Sequence, residues 1–344
     1  MFQHPEFDGH EHVAIHYDAK SGLKAIIAVH NTSRGPALGG CRMLPYGSDH
    51  DALTDALRLS RGMTYKSAIA ELPLGGGKMV IIADPKTMKT PELLHAAGQF
   101  IDTLLGTYIT AEDMGMTTTD CKIIAEVTPH VAGVFNTIHG GDPSPVTAYG
   151  VECSMRAAWE FHKGTTSLKG VRCGIEGLGN VGMALARLLH KRGASIYASD
   201  IDPAKILCAV TEMPQIVAMD TASLRKAHLD IFAPCARGGV INAETIPEFN
   251  SVIICGAANN ILEHREHGEL LKERGILCVP DYVANCGGII DVHYQRNTYD
   301  EALVYQHVYK IAFKTLSTIL NRAKKRDRTP QDIADQIAES RFVR

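Results

Sequence analysis

The sequence lacks an excess of basic charge, and this absence limits the partners that it can bind. Its 35 Lys and Arg residues are outnumbered by 38 Asp and Glu residues, which gives a formal net charge of -3 at pH 7. A nucleic acid backbone or an anionic membrane surface is held by a field of positive charge. We therefore expect neither a nucleic acid nor a membrane as a partner.

Long apolar runs and a leader-like start are also missing. No stretch approaches the roughly 20 apolar residues that a helix needs to span a bilayer. Residues 1–6 carry neither a cationic start nor an apolar segment of the kind that signal peptides contain. We expect a soluble protein with a cytoplasmic location.

Cysteine and histidine are present, but not in the patterns that make disulfides or metal sites. The nine cysteines are scattered and form no Cys-x-x-Cys pair, so neither a disulfide framework nor a zinc ribbon is indicated. A reducing compartment fits this usage best. Histidines come closest together in residues 10–12 and 264–267, without a third ligand at metal-binding spacing. We expect no bound metal ion.

The chain is long enough for two domains. Its 344 residues exceed the size at which a single hydrophobic core usually stops growing. Residues 140–145 consist of loop-forming types and mark a boundary. We predict an α/β fold in which an α/β domain (residues 1–139) precedes a Rossmann-type, doubly wound domain (residues 140–310), with a cleft between them.

Hydrophobic periodicity and turn residues locate the secondary structure. In the first half they predict strands over 13–17, 23–30, 79–82 and 108–111, helices over about 51–64, 91–105 and 118–127, and a glycine break at 75–77. In the second half they predict strands over 171–176, 195–200, 231–234, 252–255 and 277–280, with helices over 147–162, 183–191, about 300–325 and after residue 330. Short apolar strands that alternate with helices indicate a parallel sheet.

The second half contains a dinucleotide-binding pattern. Gly177-Leu178-Gly179-Asn180-Val181-Gly182 fits G-x-G-x-x-G, follows a predicted strand and opens a predicted helix, which is the context that this pattern requires. Gly177 permits the tight turn, Gly179 lets the backbone approach a pyrophosphate, and Gly182 lets the helix pack on the sheet. The N–H groups at the helix start, around Asn180 and Val181, face the phosphates.

An acidic residue after the next strand predicts the choice of cofactor. Asp200 lies 18 positions beyond Gly182, and no arginine follows it immediately. A carboxylate at this point accepts hydrogen bonds from the ribose 2′-OH and repels a 2′-phosphate. We therefore predict NAD rather than NADP. A glycine-rich turn without a ligand is the alternative, which the agreement of turn, helix and acid disfavours.

Two lysines stand among glycine and apolar residues. Lys66 ends a predicted helix, and Lys78 follows three glycines at the start of a predicted buried strand. Two ammonium groups that are close together and partly desolvated would lower the pKa of one of them, which then serves as a general base, while the other binds a carboxylate. Two ordinary surface lysines remain an equally simple interpretation. A phosphate-binding loop is disfavoured because Met79 follows Lys78.

Asp113 is the third candidate for the chemistry. It comes just after the strand predicted over 108–111, where α/β sheets place reactive side chains. On local features alone, the commoner interpretation is an aspartate that caps a helix or stabilises a turn.

Long segments of the chain resemble one enzyme family. They are residues 21–28, 35–40, 56–66, 74–78 and 108–113 in the first half, and 143–145, 147–150, 232–236 and 280–283 in the second. These segments are similar to the Glu/Leu/Phe/Val amino acid dehydrogenases, and among them to the leucine dehydrogenases. The resemblance covers nearly the whole chain and implies oxidative deamination, with hydride transfer from the substrate α-carbon to nicotinamide.

The resemblance implies a role for each candidate residue of the first half. Lys66 binds the substrate α-carboxylate, Lys78 is the general base that activates water, and Asp113 exchanges protons with the substrate nitrogen. Gly39 and Gly40 line the site where backbone comes close to the substrate.

For the second half, the resemblance implies contacts with the cofactor. Thr147 and Asn260 hold the nicotinamide end, and Asn260 also contacts the substrate carboxylate. Ala233 and Cys235 lie on the strand beneath the dinucleotide.

Family resemblance also places the substrate side chain, in a pocket formed by Leu38, Met63, Ala111, Ile289 and Val292. All five are apolar, so a charged side chain would be desolvated without a partner. We predict leucine, valine and isoleucine as substrates. A phenylalanine- or tryptophan-type dehydrogenase and a non-catalytic NAD-binding regulator are the alternatives, and core packing is the plain interpretation of any one of the five.

Assembly is predicted from the resemblance as well. The first domain is expected to carry both the catalysis and the subunit contacts, with C-terminal helices of about residues 311–344 returning to it. Because the sequence ends at Arg344, earlier than in octameric relatives, we expect a homo-oligomer that is a dimer rather than an octamer.

Overall fold

A computed structural model describes residues 1–134, 141–296 and 299–343 of the chain. They divide into two compact units. The first comprises Met1–Gly141, Val292–Tyr299 and Ala338–Arg344, and the second comprises Asp142–Asp291 and Asp300–Ile337. The boundary predicted between residues 139 and 140 lies outside the described residues.

The first unit is built around a mixed sheet. Its elements are β1 (His12–Asp18), β2 (Leu23–Asn31), β3 (Ala37–Leu38), β4 (Cys41–Leu44), α1 (Asp49–Ile69), β5 (Gly75–Ile82), α2 (Pro91–Asp102), β6 (Tyr108–Ile109) and α3 (Thr118–Ala125). The strand order is β1-β2-β5-β3-β6, and β4 also pairs with β5. The β1, β2 and β5 pairings are antiparallel, whereas β3 and β4 run parallel to β5.

Alternation along the strands gives this sheet two apolar faces. Ile26 and Val80 pack with residues of α1 on one face. Ile27 and Met79, one position along in each strand, pack with residues of α2 and α3 on the other face. Because successive side chains of a strand point to opposite faces, Lys78 lies on the same face as Val80, towards α1.

The second unit has the predicted parallel sheet. Its elements are α4 (Ser144–Lys163), β7 (Arg172–Glu176), α5 (Asn180–Lys191), β8 (Ser195–Ser199), α6 (Pro203–Glu212), β9 (Val217–Ala218), α7 (Thr221–Lys226), β10 (Leu229–Pro234), β11 (Ser251–Ile254), α8 (His267–Glu273), β12 (Leu277–Cys278), α9 (Asp281–Ala284) and α10 (Gly287–Gln295). The order is β12-β11-β10-β7-β8-β9, with every pairing parallel. The α/β fold class with a doubly wound sheet is confirmed.

The glycine break predicted at residues 75–77 is wrong, because these residues begin β5. At each of these glycines, atoms of a neighbouring segment occupy the space that a side chain would fill. A Cβ on Gly75 would lie 2.0 Å from the carbonyl oxygen of Asn31, and one on Gly76 would lie 2.0 Å from the backbone nitrogen of Thr64. The glycines therefore let β2 and α1 approach β5 closely. Glycine inside a strand often marks such an approach of another backbone.

The C-terminal helix predicted over about 300–325 contains an irregular segment. It is observed as α11 (Glu301–Tyr309), a π-helical segment (Lys310–Thr315) and α12 (Leu316–Arg326), followed by α13 (Pro330–Glu339). The Ser154 hydroxyl donates a hydrogen bond to the carbonyl oxygen of Ala312, at 2.9 Å. A carbonyl that turns to an outside donor in this way accompanies a wider helical turn.

The predicted return of residues 311–344 to the first domain is wrong for most of this range. Residues up to Ile337 belong to the second unit, and the first unit gains Ala338–Arg344 only. Ion pairs explain the assignment, because Arg265 lies 2.7 Å from Asp332 and 2.9 Å from Asp335. The final residues instead contact α1, where the Arg341 guanidinium donates to the carbonyl oxygens of Ala68 and Ile69.

A helix that spans a bilayer must be both long and strongly apolar. Within 1–134, 141–296 and 299–343, no helix meets both requirements.

Candidate active site and nucleotide loop

Gly39 and Gly40 lie in a gap between two short strands. β3 pairs with the start of β5 at Gly75 and Gly76, and β4 pairs with it again from Met79 onwards, so the two glycines stand opposite Gly77 and Lys78. A Cβ on Gly39 would lie 1.7 Å from the Gly77 carbonyl oxygen, and one on Gly40 would lie 2.8 Å from the Cβ of Asp113. The resemblance implied that the backbone at these glycines comes close to the substrate. In the structure, the atoms that come close to them belong to neighbouring protein segments.

Lys78 is the buried cation of this gap. Only 4% of the residue is exposed, and its Nζ forms an ion pair with Oδ2 of Asp113. Lys66 lies in the last turn of α1 and is half-buried. Helix α1 touches β5 where Thr64 meets Gly76. Lys66 follows Thr64 by two residues, and Lys78 follows Gly76 by two residues. Of the two interpretations of Lys78, the surface lysine is excluded.

Asp113 follows β6 and is held by three groups. Its Oδ1 accepts a hydrogen bond from the Met114 backbone N–H at 2.7 Å, and its Oδ2 accepts from Lys78 and from Arg42 Nε, the latter at 3.3 Å. Burial by itself raises the pKa of the Asp113 carboxyl, but Lys78 and Arg42 more than offset it and hold that pKa well below its usual range. Asp113 does not cap α3, because Thr117 does.

Sequence reasoning missed Arg42, Asp55 and Tyr46. Arg42 lies on β4, and its Nη1 donates to Oδ2 of Asp55 at 3.0 Å. The Tyr46 hydroxyl donates to the same oxygen at 2.7 Å. The signal in the sequence was an arginine directly after two glycines and a cysteine, inside an apolar strand, where an unpaired guanidinium would be costly.

Three of the five predicted pocket residues surround this gap. Leu38 precedes Gly39 and is buried. The Met63 Cγ would lie 3.4 Å from a Cβ on Gly39, and the Ala111 carbonyl oxygen accepts from the Cys41 backbone N–H at 2.8 Å. The other two, Ile289 and Val292, lie on α10, where Ile289 is buried and belongs to the second unit, whereas Val292 is half-buried and belongs to the first.

The glycine loop joins β7 to α5 with the geometry that the pattern predicted. Gly177 has a φ of +102°, which favours glycine. A Cβ on Gly182 would lie 1.9 Å from the Gly177 carbonyl oxygen, whereas a Cβ on Gly179 would meet no atom within 4 Å. Gly179 caps α5 without a side-chain hydrogen bond, and Asn180 and Val181 form the first turn. The helix start therefore presents backbone N–H groups to open space.

Asp200 supports the glycine loop. Its Oδ2 accepts from the Leu178 backbone N–H at 2.7 Å and its Oδ1 from the Asp202 backbone N–H at 2.9 Å. Lys205 Nζ lies 3.9 Å from Oδ2. The carboxylate is thus fixed beside the loop, at the end of β8, where a ribose would meet it.

The remaining predicted cofactor residues lie at the carboxyl ends of the strands and at one helix start. Ala233 is buried on β10, and Cys235 follows that strand, where burial raises the pKa of its thiol to about 12. The Thr147 hydroxyl donates to the Pro143 carbonyl oxygen in the first turn of α4. Asn260 has a φ of +52°, a backbone conformation that residues other than glycine adopt at some cost and that often marks functional sites.

Asn285 is a further residue that sequence reasoning missed. It is 2% exposed, and its Nδ2 donates to the Ala257 carbonyl oxygen at 3.0 Å and to Asn259 Oδ1 at 2.8 Å. This contact fixes the residue next to Asn260. The signal was an asparagine shortly before the paired glycines Gly287 and Gly288, which begin α10.

The residues of the second unit fit a dinucleotide. The open space at Gly179, the uncapped start of α5 and the acidic side chain of Asp200 are the features that a pyrophosphate and a ribose require. A metal ion would instead need several His, Cys, Asp or Glu side chains close together. Among residues 1–134, 141–296 and 299–343, no three His, Cys, Asp or Glu side chains come together in a way that could hold one.

Two family models match the chain. The model described as "Glu/Leu/Phe/Val dehydrogenase, dimerisation domain" matches residues 10–130. The model described as "Glutamate/Leucine/Phenylalanine/Valine dehydrogenase" matches residues 142–202 and 202–343. Together they cover most of both units.

Individual relatives agree on the family and differ in the substrate. A leucine dehydrogenase from Geobacillus stearothermophilus is 44% identical, covering 99% of this chain and 93% of that protein. A phenylalanine dehydrogenase from Caldalkalibacillus thermarum is 43% identical, covering 97% and 91%. The crystal structure of L-tryptophan dehydrogenase from Nostoc punctiforme has a TM-score of 0.83 at 42% identity, covering 97% and 95%. This chain therefore belongs to the Glu/Leu/Phe/Val dehydrogenase family and is an amino acid dehydrogenase, an oxidoreductase of an NAD(P)-dependent family.

Proposed function

We propose that this enzyme catalyses the reversible, NAD-dependent oxidative deamination of the branched-chain L-amino acids leucine, valine and isoleucine. The amino acid, NAD⁺ and water give the 2-oxo acid, ammonium, NADH and a proton. The observation that carries the proposal is the ion pair between the buried Lys78 and the half-buried Asp113, set in a gap whose neighbours Leu38, Met63 and Ala111 are apolar.

In this proposal Lys78 and Asp113 move the protons. The Asp113 carboxylate, kept ionised by its cationic neighbours, receives a proton from the substrate ammonium group. Lys78 first loses its ammonium proton to solvent, and the neutral amine then removes a proton from the water that attacks the oxidised substrate carbon and returns it when ammonia leaves. The direct contact between the two side chains gives a path along which a proton passes from one group to the other.

Lys66 takes the remaining task, which is to bind the substrate α-carboxylate. It stands at the end of α1, two residues beyond the contact of that helix with β5. An ammonium group at this position gives the carboxylate a charge-assisted hydrogen bond. The substrate is thereby fixed by one end while its nitrogen meets Asp113, and such orientation lowers the barrier by removing the entropy of alignment.

The second unit holds the cofactor through Gly177, Gly179, Gly182 and Asp200. A bound nicotinamide supplies the acceptor for the hydride that leaves the substrate α-carbon. The carboxylate of Asp200 favours a free ribose 2′-OH and opposes a 2′-phosphate, which is the reason for proposing NAD. Thr147, Ala233, Cys235 and Asn260 are proposed as contacts with the nicotinamide end and the strand beneath it.

Apolar neighbours are the reason for proposing branched-chain substrates. A carboxylate side chain among Leu38, Met63 and Ala111 would lose its hydration without gaining a partner, at a cost of roughly several kcal/mol. Differences between leucine, valine and isoleucine amount to one methylene each, worth only about 1–3 kcal/mol. We therefore expect all three to react, with preferences of about 10-fold to 200-fold at most.

The proposal is tested by incubating the full chain with NAD or NADP and each of leucine, valine, isoleucine, phenylalanine, tryptophan and glutamate. Formation of the reduced cofactor is followed by absorbance at alkaline pH. We expect turnover with the branched-chain substrates and NAD. An absence of turnover with every amino acid would overturn the proposed function.

The role of Lys78 is tested by Lys78→Ala, which should lower kcat by about 100-fold to 10,000-fold, the usual contribution of a positioned base. Lys89→Ala is the matched control, because it also removes a lysine–aspartate ion pair (Lys89 to Asp120, 2.7 Å) from the first unit. NADH binding, followed by fluorescence, should be unchanged in both variants. A Lys78→Ala enzyme with most of its activity would refute the assignment.

An aromatic substrate is the second candidate function. It is favoured by the tryptophan and phenylalanine dehydrogenases among the relatives, which are as similar to this chain as the leucine dehydrogenase is. The same assay separates the two, because a higher kcat/KM for phenylalanine or tryptophan than for leucine would replace the branched-chain proposal.

We further propose that the enzyme is a homo-oligomer, and a dimer rather than an octamer. The description of the family model over residues 10–130 as a dimerisation domain supports this. Light scattering coupled to size-exclusion chromatography gives the mass directly. A mass of eight chains, each of 37.3 kDa, would contradict the dimer.

A further inference from the structure

Four charged side chains of the first unit form a continuous row. Lys78 contacts Asp113, Asp113 contacts Arg42, and Arg42 contacts Asp55. The row alternates in sign and connects β5, the segment after β6, β4 and α1. Its end is closed by the Tyr46 hydroxyl, which donates to Asp55. The proposed proton-transfer pair is therefore one end of a larger network.

Three further titratable side chains near this row stay uncharged at neutral pH. Burial raises the pKa of the Cys41 thiol, of the Tyr46 hydroxyl and of the Tyr108 hydroxyl above their ordinary values. Tyr108 donates a hydrogen bond to the Gly39 carbonyl oxygen at 2.6 Å, and is therefore occupied as a donor. The charge around Asp113 is thus set by Lys78 and Arg42, with Asp55 as the compensating charge behind Arg42.

We propose that Arg42 is a positioning residue of the dehydrogenase reaction, which holds the Asp113 carboxylate in place and shares its charge with Lys78. The inference rests on the proposed roles of Lys78 and Asp113. One carboxylate oxygen, Oδ2, accepts from both cations. Because Arg42 partly neutralises the Asp113 carboxylate, Asp113 stabilises the Lys78 ammonium less strongly. Lys78 therefore loses its proton at a lower pH than it would without Arg42.

A guanidinium suits this position better than an ammonium group. Arg42 uses Nε towards Asp113 and Nη1 towards Asp55, and these two donors point in different directions from one rigid plane. The guanidinium also keeps its charge at every pH at which an enzyme works. Arg42 lies on β4, only 16% of its side chain is exposed, and its two carboxylate partners hold it from both sides.

The inference predicts pH shifts of opposite sign when Arg42 and Asp55 are replaced in turn. Arg42→Gln removes a positive charge facing the pair, so the acid limb of the kcat/KM profile should move up by roughly 0.5–1 pH unit. Asp55→Asn leaves the Arg42 charge uncompensated, so the same limb should move down by roughly 0.5 unit. A merely structural role would impair both variants without shifts of opposite sign.

Arg42→Lys and Arg58→Gln complete the set. Arg42→Lys keeps the charge but not the two separate donors, so kcat should fall by roughly 10-fold with the limb unmoved. Arg58 lies on α1 in an exposed ion pair with Glu6, and its replacement should change neither quantity. If Arg42→Gln fails to fold, Asp55→Asn still tests the direction of the pH shift, and Arg42→Lys still tests the loss of kcat with an unmoved limb.

A readout without turnover separates this inference from the proposed function. Trace acetylation of the full chain with acetic anhydride between pH 6 and 10, read by mass spectrometry at Lys78, reports where the pair releases its proton. Opposite shifts in acetylation, with no turnover by the unaltered enzyme, would overturn the proposed function and support only the charge coupling of Arg42, Asp113 and Lys78. Turnover with the same pH midpoint in Arg42→Gln and Asp55→Asn would overturn the inference alone.

Discussion

Gly39 and Gly76 of the first unit and Gly179 of the second lie in opposite surroundings. In the first unit, the spaces where Gly39 and Gly76 would carry a Cβ are filled by backbone atoms of Gly77 and Thr64. In the second unit, the space at Gly179 is open, although that of its neighbour Gly182 is filled. The first set brings protein segments together so that a lysine and an aspartate can meet, and the open glycine leaves room for a ligand. The same residue type thus allows close packing in one unit and leaves open space in the other, where we propose the reaction site and the cofactor site.

The largest effect should come from filling a closed glycine. Gly76→Ala places a Cβ against the Thr64 backbone and should lower the free energy of unfolding by about 3 kcal/mol, the upper range for overpacking a core. Gly62→Ala is the control. It lies within α1 with no atom within 4 Å of a Cβ, and should raise that free energy by about 0.5–1 kcal/mol. Urea unfolding measures both, and equal values would contradict the comparison.

Acid should affect the first unit next most strongly. Burial, together with the neighbouring His10, lowers the pKa of His30 from 6.5 to about 4. The folded state thus binds fewer protons than the unfolded state between these values, so the stabilisation is complete above pH 6.5 and is lost as the pH falls towards 4. The loss amounts to up to about 3 kcal/mol.

Replacing His30 by asparagine tests this prediction, because an amide can keep the hydrogen bond that Nδ1 makes with Thr64. The free energy of unfolding should fall less between pH 7 and pH 4.5 in His30→Asn than in the unaltered chain. His190→Asn, an exposed histidine of the second unit, is the matched control. A pH dependence identical in all three proteins would refute the assignment.

Filling the open glycine should affect the cofactor and spare the fold. Gly179 has an extended backbone (φ -66°, ψ -169°) that alanine adopts freely. Gly179→Ala should therefore change the free energy of unfolding by less than about 0.5 kcal/mol. NADH binding should weaken by roughly 30-fold, about 2 kcal/mol, because the new methyl group meets the pyrophosphate. Isothermal titration with NADH measures the second effect, and unaltered affinity would show that this space is not the phosphate site.

The smallest effect concerns the choice between cofactors. Asp200→Asn keeps an acceptor for the Leu178 N–H and removes the charge that opposes a 2′-phosphate. The ratio of kcat/KM for NADP to that for NAD should rise by about 10-fold, or 1.4 kcal/mol. Asp230→Asn, which alters an ion pair with Arg172 elsewhere in the same sheet, should leave the ratio unchanged. An equal ratio in both variants would remove Asp200 from cofactor selection.

The features that the sequence predicts well depend on neighbouring residues. The glycine loop, the strand before it and the helix after it lie within one short stretch, and the structure has them in that order. The parallel sheet could be predicted from alternating elements for the same reason. Lys78 and Asp113 could be chosen as candidates from their positions after glycines and after a strand.

The contacts between distant segments could not be predicted. Arg42, Lys78 and Asp113 come from three separate segments of the first unit, and their ion pairs depend on how the sheet is ordered. The glycine run at the start of β5 predicts a break, because glycine weakens a strand in which no close neighbour is known. Its cause, the close approach of Thr64 and Asn31, exists only in three dimensions.

The π-helical segment Lys310–Thr315 fixes the rotational phase of the helix that follows it. Each residue of an α-helix turns the chain by about 100°, so removal of a single residue from this segment would rotate α12 by that angle. Each buried position of α12 would then be taken by the next residue along the chain, so that Ser317, Asn321 and Lys324 would replace Leu316, Leu320 and Ala323 in the interior. The length of this segment therefore sets the alignment between the two halves of the long C-terminal helix, and a one-residue deletion there should be far more damaging than one in an exposed turn.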